Sequence, residues 1–244
     1  MSLDEVAFIT LTNGGYIKFT LNCLESLKKI NFNKTLQCYS IGKYAHEVLS
    51  NRNYNSILID DESNTNFQSF RQGNWSNITY RKFEIIYENL LKKEYKYVCI
   101  TDGDIVFENP NFLSYCIDNI NDNDILFQNG NCDLEIKNNF EGEVCSGFMF
   151  IKSNDKMISV FNPNNVTSHI NEIGWDDQKY LNEIKSSIKF DVLPINLFPN
   201  GNYFYNKIGW KKVNPYPYLI HFNFCIGSDK KRKMKLYRKW YIRK

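Results

Sequence analysis

No apolar run in this chain approaches the length of a membrane span, and the opening Met1-Ser2-Leu3-Asp4-Glu5 lacks the charged and apolar regions of a secretion signal. The expected location is cytoplasmic. Cysteine never occurs as a CxxC pair. The seven cysteines, at 23, 38, 99, 116, 132, 145 and 225, are scattered and several lie in apolar runs. Reduced, buried thiols are expected, and a structural zinc site is not. Histidine is scarce, with three residues in all. No stretch reads GxGxxG or GxxxxGKS/T, which argues against dinucleotide binding and P-loop chemistry. Internal repeats and Pro/Gly/Ser linkers are missing too. The 244 residues, 1–244, are therefore read as one domain, long enough to bury a core without staples.

Acidic residues are absent from the C-terminal stretch 230–244, which holds nine Lys or Arg. Against a whole-chain charge of +3, this leaves the rest at −6, a mildly acidic body with a basic tail. Nothing else forms a basic patch, so nucleic acid is not an expected partner. Met234, Tyr237, Trp240 and Tyr241 fall at helical spacing within the tail. The favoured reading is a terminal helix packed on the body with solvated lysines. The alternative is a weak contact with an anionic membrane surface.

Apolar runs alternate with helical stripes along the body. Strands are predicted at Glu5–Thr12, Thr35–Ile41, Ser56–Ile59, 97–101, 124–128, Cys145–Lys152, Phe190–Ile195 and Tyr218–Asn223. Helices are predicted at Tyr16–Ile30, near 43–51, at Thr79–Lys93 with Thr79 as N-cap, after Pro110, and at Trp175–Ile184. Residues 60–78 read as a polar loop over one face. Strand–helix alternation from the start argues an α/β fold with a mixed, mostly parallel, Rossmann-like sheet flanked by helices.

The most informative stretch is Tyr97-Val98-Cys99-Ile100-Thr101-Asp102-Gly103-Asp104-Ile105-Val106-Phe107. Two carboxylates stand one residue apart between apolar runs, and neither tolerates burial unpaired. A surface turn would explain Asp-Gly, but strand-like flanks on both sides oppose it. The economical reading is a buried strand delivering Asp102 and Asp104 to the crevice at the sheet's carboxyl edge, where α/β folds bind ligands. Hard oxygen ligands there suit Mn²⁺, or Mg²⁺ in its place, shared with substrate phosphates.

His221 closes a later strand and is followed by Gly227, Lys230 and Lys231. An imidazole can complete a metal site, glycine can admit backbone N–H groups to a phosphate, and lysine can neutralise it. In isolation, a satisfied edge histidine is the simpler explanation. Trp175-Asp176-Asp177-Gln178 reads equally as helix capping or as a group addressing sugar hydroxyls. Lys82 either lies on a solvated helix face or points at phosphates. Thr10, Thr12 and Tyr16 surround the first strand-to-helix turn, a common nucleotide seat.

In order, VAFITLTNGGYIKFTLNCLESL, RKFEII, YVCITDGDIVFENP, CSGFMFIKS, WDDQKYLN and HFNFCIGSDKKRKM resemble the nucleotide-diphospho-sugar transferase family of GT-A glycosyltransferases, related to retaining families 77 and 8. The resemblance spans about residues 6 to 235. It implies a UDP-sugar or other NDP-sugar donor, Mn²⁺, retention of configuration, and a glycan, protein or small-molecule acceptor. It further implies Asp102, Asp104 and His221 as metal ligands, and Gly227, Lys230 and Lys82 as diphosphate contacts. Thr10, Thr12 and Tyr16 would line the base and ribose pocket, and Ser146 and Gly147 the donor sugar. Asp176, Asp177 and Gln178 would face the sugar or acceptor, either Asp being the nucleophile if the route is covalent. The acceptor would dock on loops such as 60–78 and 129–143. Cys145 departs from the Asn that relatives often carry there. A haloacid-dehalogenase-type phosphatase also uses DxD, but on its first strand; a non-catalytic nucleotide-sugar or metal-binding module is the other alternative.

Overall fold

The computed structural model describes residues 2–69, 71–131, 142–166, 175–213 and 215–242. The first half builds β1 (Val6–Asn13), α1 (Ile17–Lys29), β2 (Gln37–Ile41), α2 (Lys43–Ser50), β3 (Ser56–Ile59), α3 (Trp75–Leu91), β4 (Tyr97–Thr101), β5 (Ile105–Phe107) and α4 (Phe112–Asn119). There follow β6 (Ile125–Asn129), β7 (Val144–Lys152), α5 (Asp155–Val160), α6 (Pro163–Val166), α7 (Asp177–Ile184), β8 (Phe190–Val192), the short α8 (Gly201–Tyr203), β9 (Leu219–His221) and α9 (Gly227–Leu236).

Seven strands form one sheet in the order β3-β2-β1-β4-β7-β6-β8, in which β7 alone runs against the rest. The α/β, mostly parallel expectation is borne out. Its central strands β1, β4 and β7 are apolar on both faces, as strands covered on both sides must be. Val6 and Phe8 of β1, Tyr97 and Cys99 of β4, and Phe148 and Phe150 of β7 face one core with α1, α2 and α4. Their neighbours Ala7, Ile9, Val98, Ile100, Met149 and Ile151 face the other, against α3, α5 and α7. This is the period-2 alternation of a pleated strand read on two buried sides. β5 and β9 make a separate antiparallel pair, Ile105 opposite His221, laid over the first core.

The chain winds outward from β1 through β2 to β3, then returns to place β4 on the other side of β1. That reversal opens a crevice at the carboxyl ends of β1 and β4.

Several expected boundaries move. α3 starts at Trp75, so the loop is shorter than 60–78. Thr79 is no cap: Asn74 holds that position and the Thr79 hydroxyl donates to the Ser76 carbonyl within the helix. The polar first turn, Ser76-Asn77, carried no apolar stripe to announce it. α7 begins at Asp177, with Asp176 as its N-cap accepting Lys179 N–H at 2.8 Å. β8 stops at Val192, two residues before Pro194, which has no N–H for a ladder. β9 covers Leu219–His221, and its pairing with β5 carries on one rung further in the same register, Phe222 N–H donating to the Asp104 carbonyl. The tail helix ends at Leu236, so Trp240 and Tyr241 are not helical. No described helix is long and apolar enough to cross a membrane. The six described cysteines are all free thiols, five of them buried.

Candidate active site

β4 ends at Thr101, so its direction carries Asp102 out of the sheet into the crevice; Gly103 turns the chain and Asp104 enters β5. A Cβ on Gly103 would lie 2.4 Å from Thr20 Oγ1, so the turn can seat against α1 only without a side chain. Through the β5–β9 pairing His221 Nε2 reaches Asp104 Oδ1 at 3.3 Å and Asp102 Oδ2 at 3.9 Å. One donor atom from each of the three residues lies within 4.8 Å of the others. Gly147 on β7 forms the floor: a Cβ there would meet His221 Cε1 at 2.2 Å and Asp102 Oδ2 at 3.0 Å.

Two lysines serve the two carboxylates. Lys230, buried in the first turn of α9, pairs with Asp104 Oδ2 and donates to the Tyr16 hydroxyl at 2.6 Å. Lys82 of α3 sits 2.9 Å from Asp102 Oδ1 and also pairs with Asp177. Burial resists charge on Asp104, but Lys230 and His221 outweigh it and hold its carboxyl well below the usual range. At Asp102 burial prevails over the pull of Lys82, with Asp104 adding repulsion, and the carboxyl is raised. Burial opposes a charge on His221 too, yet the Asp104 carboxylate pushes its imidazole up to about 10. Burial would lower Lys82, but Asp102 and Asp177 more than reverse it. The neighbouring Asp residues are thereby driven to opposite behaviour by different partners.

The other expected residues differ in whether they reach the centre. Asp177 joins the centre through Lys82, and Gln178 is half-buried beside it in the first turn of α7. Asp176 does not reach the centre: its carboxylate caps α7 and pairs with Arg71 Nε at 2.7 Å. Thr10 is fully buried with its hydroxyl donating to the Thr101 carbonyl at 2.7 Å, while Thr12 accepts from Thr20 at the same distance. Of the first-turn group, Tyr16 alone contacts the centre. Ser146 is buried on β7 beside Gly147. Gly227 starts α9 with φ +51°, a conformation that favours glycine, and open space around it. Lys230 rather than Lys231 points inward, since Lys231 lies over the Trp240 ring. Residues 132–141 of the expected acceptor loop lie outside the described residues.

Sequence reading missed three side chains. Gln128 Oε1 lies 2.8 Å from His221 Nδ1. Asn13 holds the 60–74 loop through the carbonyls of Asn64 and Asn66, and accepts Tyr16 N–H. Arg71 pins the same loop to Asp176. Gln128 and Asn13 each end an apolar run, which is a usable signal; Arg71 sits in a polar stretch and gives none.

The cluster fits a divalent ion of the Mn²⁺ or Mg²⁺ class. Its donors are two hard oxygens and an imidazole. Asp104 Oδ1, facing the other two donors, is buried and makes no hydrogen bond among the described residues.

The sequence model of the family described as nucleotide-diphospho-sugar transferase matches residues 42–235. A UDP-galactose:fucoside alpha-3-galactosyltransferase of Dictyostelium discoideum is 25% identical, over 96% of this chain and 43% of that protein. The chain thus spans under half the length of this curated relative. Among solved structures, the galactosyltransferase LgtC in complex with donor and acceptor sugar analogues aligns over 98% of this chain and 97% of its own, with TM-score 0.57 and 12% identity. The glycosyltransferase GlyE of Streptococcus pneumoniae aligns over 97% of this chain and 60% of its own, with TM-score 0.60 and 13% identity. Mouse xyloside xylosyltransferase 1 aligns over 91% of this chain and 100% of its own, with TM-score 0.56 and 13% identity. At such identities these likenesses establish the fold, which is that of the GT-A glycosyltransferases. The chain belongs to the nucleotide-diphospho-sugar transferase family. A phosphatase of the haloacid-dehalogenase type is set aside by that membership, and by the DxD lying after the fourth strand rather than the first.

Proposed function

We propose that this chain, as one catalytic domain, transfers a sugar from an NDP-sugar, in the first instance a UDP-sugar, to an acceptor hydroxyl at a site holding Mn²⁺ or Mg²⁺. The observation that carries the reading is the convergence of Asp102, Asp104 and His221 at the carboxyl end of β4, with Lys230 against Asp104. UDP-galactose is the first donor to try, because the Dictyostelium relative is named for it. When bound, the cation neutralises the charge that gathers on a departing diphosphate.

The chain's own groups complete the environment. Lys230, steadied by Tyr16, adds positive charge on the leaving-group side, where preorganised electrostatics contribute most. Gly227 admits backbone N–H groups to the phosphates. Tyr16 shapes the wall for base and ribose, with Thr10 and Thr12 bracing the end of β1 behind it. Ser146 and Gly147 underlie the donor sugar, and Asp177 and Gln178 face it or the acceptor. We read the outcome as retention, on the resemblance to families 77 and 8. The departing phosphate then takes the acceptor's proton, and no separate base is required. For a covalent route Asp177 is the better placed nucleophile, since the oxygens of Asp176 are engaged by Arg71 and the α7 backbone.

Thermal stabilisation and UDP release across a panel of UDP- and GDP-sugars, with and without Mn²⁺, test this. The expected result is Mn²⁺-dependent stabilisation and UDP release with one donor, both lost in Asp104→Asn. Full turnover in that variant overturns the site. Tight binding without release assigns a nucleotide-sugar-binding module instead.

A further inference from the structure

Only one ring nitrogen of His221 faces the carboxylates. The other, Nδ1, lies 2.8 Å from Oε1 of Gln128, a residue with no solvent exposure. The Gln128 amide has a defined orientation, because its nitrogen donates to the backbone carbonyls of Phe198 and Pro199, each at 3.1 Å. Turned over, it would set Oε1 against two carbonyl oxygens and forfeit both bonds in a place no water reaches. In the orientation observed Oε1 can only accept, so Nδ1 is the ring nitrogen that keeps its hydrogen. When the ring gives up its second proton to act as a ligand, that proton leaves Nε2, whose lone pair then lies on the side of Asp102 and Asp104. The Cys145 thiol, 3.8 Å from Nδ1, is a longer and weaker partner.

The backbone around this amide is arranged for it. The β6–β7 register breaks between Phe127 and Gln128, passing from Phe127 opposite Met149 to Gln128 opposite Cys145. The skipped residues of β7 include Ser146 and Gly147, and the missing Cβ of Gly147 leaves the volume that the His221 ring fills. Bulges of this kind re-aim side chains beside functional sites. The Pro199 carbonyl that receives the amide also accepts His221 N–H at 3.1 Å, so one loop fixes ring and strut together.

We propose that Gln128 is a positioning residue for the cation site: it selects the Nδ1–H form of His221 and sets the plane of the ring, making Nε2 the ligand atom. The inference rests on the cation reading above, and such partners of a ligating histidine typically govern metal affinity.

The test is Mn²⁺ affinity in the presence of UDP, read by electron paramagnetic resonance of the free ion, for wild type, Gln128→Met, Gln128→Glu and Asp104→Asn. Methionine keeps length and volume but removes the acceptor. Gln128→Met should bind Mn²⁺ about 10- to 100-fold more weakly, with an unchanged far-UV spectrum in EDTA, and Gln128→Glu, protonated on the oxygen that replaces the amide nitrogen so that it still donates to the Phe198 or Pro199 carbonyl, should recover most of the loss. Affinity in Gln128→Met within about threefold of wild type, while Asp104→Asn loses binding, overturns the role of Gln128. Undiminished binding in Asp104→Asn overturns the cation reading itself. Wild type labelled with ¹⁵N-histidine and loaded with diamagnetic Cd²⁺ decides without any change at 128. The His221 resonance, assigned with His221→Asn, should be protonated at Nδ1; protonation at Nε2 refutes the proposal.

Discussion

At the scale of single residues, the site depends on atoms that are absent as much as on those present. Gly147 is the clearest case, because its hydrogen occupies a position where a methyl group would overlap His221 Cε1. Gly147→Ala should displace the imidazole and weaken Mn²⁺-dependent donor binding by about 100-fold or more, while overpacking costs about 1–3 kcal/mol of stability. Calorimetry for binding and urea unfolding for stability check the two parts separately. A different residue reports on pH. Burial works against charge on Asp61, but hydrogen bonds from Ser63, Asn64 and Arg81 prevail and hold its pKa at about 2, below the ordinary value. A depressed carboxyl contributes stability that is fully present above the unfolded value and is lost as pH falls through the folded one. Asp61→Asn should therefore be less stable than wild type at pH 6, with the gap closing between about pH 4 and pH 2. Chemical denaturation at stepped pH measures it, and a gap that stays constant refutes the assignment.

At the scale of elements, α7 links the loop before α3 to the centre. Its N-cap Asp176 is buried, binds Lys179 N–H and holds Arg71, while the next residue, Asp177, holds Lys82. One helix start thus fixes both the loop and a lysine that serves Asp102. Asp176→Ala should cost about 2–4 kcal/mol, from a lost cap and the loss of Arg71's charge partner. A double-mutant cycle with Arg71→Ala should return a coupling of about 1–3 kcal/mol in urea unfolding. Additive effects would show that the ion pair does not bear on α7. Element limits were the least legible feature of the sequence. α3 begins in a polar turn, and the reach of β9 is set by its pairing with β5, whose last rung joins Phe222 N–H to the Asp104 carbonyl 118 residues away in the chain.

At the scale of the whole molecule, the basic tail is a strap as well as a helix. α9 brings Lys230 to the centre, then the chain runs back along α1. There buried Asn22 donates to the Lys239 carbonyl and accepts Tyr241 N–H, and Lys239 pairs with Glu108 at 2.7 Å. Met234 and Trp240 pack with Phe19 and Val106, so the strap closes a third apolar cluster over the β5–β9 pair. Packing on the body, the favoured reading of the tail, describes this arrangement. Its positive charges are not all solvated, however, since Lys230 and Lys239 are partnered inside it. Asn22→Ala removes both ends of the tie and should cost about 2–3 kcal/mol. It should also speed trypsin cleavage after Arg238 and Lys239, followed by mass spectrometry. Cleavage at the wild-type rate would refute the strap.

The sequence by itself determined the sheet, its burial on both faces and the acidic pair at its edge. Those features are local: strand period, apolar runs and a carboxylate that cannot be buried unpaired are all written within a few neighbouring residues. It also pointed to His221 and Lys230, because a histidine closing a strand and a lysine after glycine are conspicuous in an apolar setting. Only the tertiary structure decided that they meet Asp104, that Lys230 rather than Lys231 turns inward, and that Asp176 belongs to a helix cap while Asp177 reaches the centre. It alone brought Gln128 to His221 from 93 positions away. Such choices depend on the register of β5 with β9 and on a bulge between β6 and β7. Register is settled by packing between segments distant in sequence, and no local pattern encodes it.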